Sequence, residues 1–89
     1  MNTQERFHEA VARSKGLAKR PNNAQLLQIY GLYKQATEGD VVMPRPGGFD
    51  FKAIAKYNAW HGLKGLPTEE AMSRYSDLIE QLVDKDETR

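Results

Sequence analysis

Hydrophobic positions recur every three to four residues in four blocks, and no stretch alternates as a half-buried strand would. The first block, about 3–14, sets Phe7, Ala10, Val11 and Ser14 on one helical face, with Gly16 as a stop. In the connector "LAKRPNN", Pro21 disfavours helix at the residue before it, and Asn22 or Asn23 suits the cap of the next segment. The second block, about 24–37, spreads Leu26, Leu27, Ile29, Tyr30, Leu32, Tyr33 and Ala36 over more than a narrow stripe. It ends at Gly39, a residue suited to the left-handed position past a helix. A helix apolar over so wide an arc needs two apolar surroundings.

The loop "GDVVMPRPGGFD" holds two prolines and three glycines and cannot be regular helix; its Val41, Val42 and Met43 predict that part of it packs down. The third block, about 51–63, places Phe51, Ile54, Ala55, Ala59 and Trp60 beside Lys52 and Lys56, with Gly62 and Gly65 bracketing its end. The fourth, about 68–83, has a continuous face of Ala71, Met72, Tyr75, Leu78, Ile79 and Leu82. Pro67 suits the first turn, Glu69 and Glu70 complement the helix dipole, and the tail "DKDETR" is expected to fray. The pattern predicts an all-α four-helix bundle in a single domain spanning 1–89. Link lengths leave the topology open, although the long loop allows the second and third helices to run parallel.

Composition narrows the function classes. The chain has no cysteine, which excludes disulfides, thiolate metal sites and cysteine nucleophiles and fits a reducing compartment, with the cytoplasm as the default. The N-terminal stretch lacks the apolar core of a secretory signal, and no segment approaches the ~18 apolar residues of a membrane span, so stable membrane insertion is not expected. The net charge of +1 hides an asymmetry: nine Lys or Arg face three acids between Arg13 and Lys64, whereas seven acids face three basic residues from Gly65 onward. The middle of the chain is a candidate anion-binding face, and a folded surface that interleaves these charges is the competing reading.

His8 and His61 fall in no metal-ligand or nucleophile spacing, and "GLKG" and "PGG" lack the strand of a phosphate-binding loop, so no catalytic constellation is present. Binding residues are easier to find. At about 100° per residue, Tyr30, Tyr33 and Lys34 form one patch, and Lys52 and Lys56 repeat the i, i+4 relation. A phenol stacks on a planar base and an ammonium meets a phosphate, which suits an anion with a planar part. Each residue also has an ordinary use: the tyrosines as core-boundary aromatics, and Lys56 lying over Trp60 four residues on.

The blocks "YGLYKQATEGD", "RPGGFDFKAIAKYNAWHGLKG" and "EEAMSRY" closely resemble the acyl-CoA-binding protein family, in order and spacing, from about Phe7 to Val83. The resemblance implies an up-down-down-up bundle and a non-catalytic cytoplasmic carrier of long-chain fatty acyl-CoA. It implies no cofactor and no nucleic acid, a monomer, and transient contact with acyl-CoA-using enzymes. By position, Tyr30, Tyr33 and Lys34 would meet the adenosine 3′-phosphate end of CoA, with Gly31 and Leu32 between them and Lys56 completing the clamp. Lys15, Lys52 and Tyr75 match further ligand contacts, and Val11, Leu26 and Leu27 match places that shield the acyl chain.

Two rival readings remain: an acyl-CoA-processing enzyme with His61 as base, and a basic module meeting nucleic acid or acidic membrane. The chain also departs from the family at Tyr57, a common tryptophan position, and at Gly48-Phe49, Ile54, Pro67 and the apolar "VVMP".

Overall fold

The computed structural model describes residues 2–87. They form α1 (Thr3–Ser14), α2 (Asn23–Glu38), α3 (Phe51–His61) and α4 (Thr68–Glu87), and none of the described residues lies in a strand. Local chemistry sets the helix starts. Asn2 and Asn22 each accept from the amide three residues on while Glu5 and Gln25 reach back, a reciprocal box that satisfies two orphan donors per helix. Asn22, rather than Asn23, is therefore the cap of α2. Asp50 caps α3 through the Ala53 amide at 3.1 Å, whereas Pro67 offers α4 no side-chain acceptor.

The ends depart from the periodicity. α3 stops at His61, two residues before Leu63, because the chain tightens: the Leu63 amide donates to the Trp60 carbonyl and the Lys64 amide to the His61 carbonyl. α4 runs on through Glu87, past the tail residues expected to fray; Thr88 and Arg89 lie outside the described residues. α2 ends on Gly39 at φ 77° and ψ −152°, a conformation essentially reserved for glycine.

The core joins α1, α2 and α4 around Phe7, Ala10, Ala36, Ala71, Tyr75, Ile79 and Leu82. α2 packs on both α4 and α3. Its contacts with α3 climb in step on both helices, Tyr30 with Lys56, Gly31 with Ala59 and Lys34 with Trp60, so the two run parallel. Its contacts with α4 run the other way, from the Gln35 amide on the Leu66 carbonyl to Leu27 and Leu78 in a shared groove, so that pair is antiparallel.

Polar bonds pin the junction of these helices. Gln35, buried, donates to Asp40 and to the Leu66 carbonyl, and Asp40 also accepts from the Gly65 amide, each at 2.8 Å. The Gly65 amide, followed by Gln35, holds the Asp40 carboxyl below its ordinary range. Trp60 Nε1 donates to the Gly39 carbonyl at 2.8 Å. In the loop, Val41 packs down as the pattern predicts, but Val42 and Met43 do not; they stand in water.

Candidate functional site

The site is built where α2 and α3 touch. Gly31 makes that approach possible: a Cβ there would stand 2.7 Å from the Ala59 carbonyl oxygen, so any side chain would push the helices apart. With the backbones this close, lysines reach across. Lys34 Nζ lies 4.9 Å from the centre of the Trp60 ring, and Lys56 Nζ lies 5.5 Å from that of Tyr30. Each helix thus supplies an ammonium to an aromatic ring of the other, an attraction worth about 0.5–1 kcal/mol at an exposed site. The i, i+4 spacing allowed Lys56 to lie over Trp60 within one helix; in the structure the ammonium over Trp60 is that of Lys34, and Lys56 lies over Tyr30.

Lys34 also bonds to Glu38, and this hydrogen bond is the chief cause of its raised pKa. It stays protonated and carries a counter-ion that an arriving phosphate can replace. Tyr33, 39% exposed, sits between this patch and the core, its ring centre 6.0 Å from Phe7 and 6.2 Å from Tyr75. Tyr75 is itself core, only 2% exposed, and its hydroxyl donates to Ser14 Oγ at 3.3 Å. Burial pushes the Tyr75 hydroxyl above its ordinary pKa, so it stays a neutral donor.

The residues named from the sequence separate into groups. Tyr30, Tyr33, Lys34 and Lys56 come together as described. Lys15, exposed at the cap of α1, and Lys52, exposed in the first turn of α3, stand outside the ring contacts. Gly31 is buried against α3 and shapes the crossing, while Tyr75 lies beneath Tyr33. Val11 packs on the core cluster.

Leu26 shares the Tyr30 side of α2 by its i, i+4 spacing. Leu32 turns about 160° away from Tyr30. There it joins Leu27, Ala59, Leu63 and Leu78 in an apolar groove of about 380 Å³ between α2, α3 and α4, with Gln28 and Arg74 also in its lining. The sequence signal for this groove was the wide apolar arc of α2; Ala59, Leu63 and Leu78 could not be assigned to it without knowing that three helices meet.

Residues 4–79 match the family model described as Acyl CoA binding protein. The chain belongs to the acyl-CoA-binding protein family. It is 47% identical over 79 residues to an acyl-CoA-binding protein of Dictyostelium discoideum, covering 89% of this chain and 94% of that one. It superposes on the crystal structure of Oryza sativa Acyl-CoA-Binding Protein 2 with a TM-score of 0.91 at 40% identity, covering 97% and 96% of the two chains. The up-down-down-up bundle implied by the sequence blocks is therefore the architecture of the molecule.

A third relative, enoyl-CoA delta isomerase 2 of Rattus norvegicus, is 49% identical over 80 residues, but those residues are 90% of this chain and only 20% of that protein. The family likeness is thus to one domain of a larger enzyme. Two departures from the family pattern have structural places. Tyr57 stacks on His61 with ring centres 5.6 Å apart, and Ile54 is half-buried on α3. Among the described residues, no group of three or more His, Asp or Glu side chains is placed to hold a metal ion.

Proposed function

We propose that the protein binds acyl-CoA thioesters without transforming them and carries long-chain members as a cytoplasmic monomer to the enzymes that use them. The observation that carries this reading is the reciprocal lysine–aromatic pairing across α2 and α3. The Lys34 and Lys56 ammonium groups, with Tyr30 and Tyr33 on the same side of α2, suit the phosphates and the planar base of CoA, with Lys15 and Lys52 as further cations. Lys34 exchanges its Glu38 partner for phosphate, so its ion pair in the free protein is a resting position.

The acyl chain follows Leu26 on the Tyr30 side of α2 toward Val11, with Leu27, which also lines the groove, at the boundary between the two surfaces. Each buried methylene contributes about 0.8 kcal/mol, so a long chain outweighs any single polar contact. A non-catalytic role is supported by family membership and by the placement of the histidines: His8 is exposed on α1, and His61 is stacked on Tyr57.

Calorimetric titration with palmitoyl-CoA tests the clamp. Lys34→Ala and Lys56→Ala are each expected to lose about 1.5–3 kcal/mol of binding, the worth of a hydrogen bond to a charged group. Unchanged affinity in both would end the assignment. Recovery of the thioester intact separates a carrier from an acyl-CoA-processing enzyme. Retention of binding at ~0.5 M salt separates acyl-chain burial from a nucleic-acid-type electrostatic contact.

A further inference from the structure

Four apolar side chains stand in water where α2 hands over to α3. Val42 is 94% exposed, Phe49 88%, Phe51 71% and Met43 50%. The Phe49 and Phe51 rings pack edge to face on each other, 6.2 Å apart. Single exposed apolar residues need no explanation; four in one loop and the helix turn it enters do.

The segment is not a loose strap. Val41 is buried at its start, where Asp40 holds the Gly65 and Gln35 donors. At its end the Asp50 carboxylate caps α3, and the Phe51 amide donates to the Phe49 carbonyl at 2.9 Å. Pro44 and Pro46 restrict the backbone between. The apolar side chains are therefore presented from anchored ends, at little further ordering cost.

Charge says what they are presented to. Between Val41 and Lys56 there are three cations, Arg45, Lys52 and Lys56, all exposed, and one acid, Asp50, whose carboxylate is already used by the helix cap. Exposed rings and aliphatic groups in a segment with two more cations than acids match a bilayer interface: the apolar groups enter the boundary between headgroups and acyl chains, and the cations meet anionic headgroups. Side chains as exposed as Val42 and Phe49 project from the surface. A protein partner would need ~1,200 Å² of matched surface, far beyond four side chains on one loop.

We propose that the α2–α3 loop, with the first turn of α3, is a docking tip for membrane surfaces that carry anionic lipids. Among the described residues no helix is long and apolar enough to cross a membrane, so the contact is interfacial. Because the tip runs directly into the turn that carries Lys52 and then Lys56, docking sets the candidate ligand site beside the bilayer. That last step rests on the acyl-CoA reading; the docking itself does not.

Flotation of the unliganded chain tests this, with vesicles of phosphatidylcholine alone and of phosphatidylcholine mixed with phosphatidylserine. The chain is expected to float with the phosphatidylserine vesicles and much less with the others. Val42→Ser combined with Phe49→Ser should lower partitioning about tenfold or more, since both side chains lose their apolar burial in the lipid. Arg45→Glu should remove most of the dependence on phosphatidylserine.

These positions are exposed and outside the clamp, so the variants should keep their thermal unfolding midpoint and palmitoyl-CoA affinity. No flotation, or equal flotation of parent and variants, overturns the proposal while leaving acyl-CoA binding to be judged by its own titration. Self-association abolished by Phe49→Ser, without vesicle binding, gives the tip to a second copy and also overturns it.

Discussion

Tyr30 and Leu32 are two residues apart on α2 and meet opposite surroundings. Tyr30 turns its ring toward the Lys56 ammonium, and its neighbours Tyr33 and Lys34 keep polar atoms within reach of water. Leu32 turns into the groove with Leu63 and Leu78, whose lining is mainly aliphatic, with Gln28 and Arg74 as its polar members. The first side offers direction and charge, and suits a ligand that must be recognised. The second offers only area. One helix serves both because α3 meets it along the line between them, at Gly31, and separates the two surfaces.

That division can be broken at its seam. Gly31→Ala puts a methyl against the Ala59 carbonyl, which is backbone and cannot rotate away. Overpacking of this kind costs about 1–3 kcal/mol, read as a lower midpoint in thermal or denaturant unfolding. Parting α2 from α3 also separates Lys34 from Trp60 and Lys56 from Tyr30, so palmitoyl-CoA affinity should fall with stability. A variant that keeps both would show that the crossing is not what holds the pairs.

The two sides can then be set against each other. A charge placed by Leu26→Glu on the Tyr30 side should weaken palmitoyl-CoA by about 1.5–3 kcal/mol, the value of burying one aliphatic side chain, and weaken a short-chain thioester less. Leu63→Glu in the groove should leave both ligands nearly unchanged. The opposite ranking in a chain-length titration would send the acyl chain through the groove instead.

The smallest effect is expected at the polar junction beyond both sides. The depressed pKa of Asp40 means that its ionised form is favoured in the folded chain. The stability it contributes is present above the ordinary carboxylate pKa and is lost as pH falls through the lower folded value. Asp40→Asn should therefore be slightly less stable than the parent at neutral pH, and the gap should close on acidification. A gap independent of pH would assign the effect to shape rather than charge.

Much of this was legible in the chain because it is local. Periodicity gives four helices, the Asn22-Asn23 pair gives the cap of α2, and the Tyr30–Tyr33–Lys34 spacing gives a patch, since each depends on residues within two turns of one another. What stayed open was relational. The i, i+4 rule allows Lys56 over Trp60 and cannot see that another helix brings Lys34 to that ring. Apolar character predicted that part of the stretch 41–43 packs down without saying which part, and only Val41 finds cover. Tyr75 reads equally well as a site residue or a core residue until Phe7 and Ser14 are placed around it.

Trp60 is the chain's single tryptophan. Its indole is buried, tethered by Nε1 to the Gly39 carbonyl, and covered on one face by the Lys34 ammonium. Indole emission responds to nearby charge, so the protein contains an optical sensor aimed at the very lysine that a phosphate would draw away. Under the proposed function, a change in this emission on adding acyl-CoA would follow Lys34 without a label.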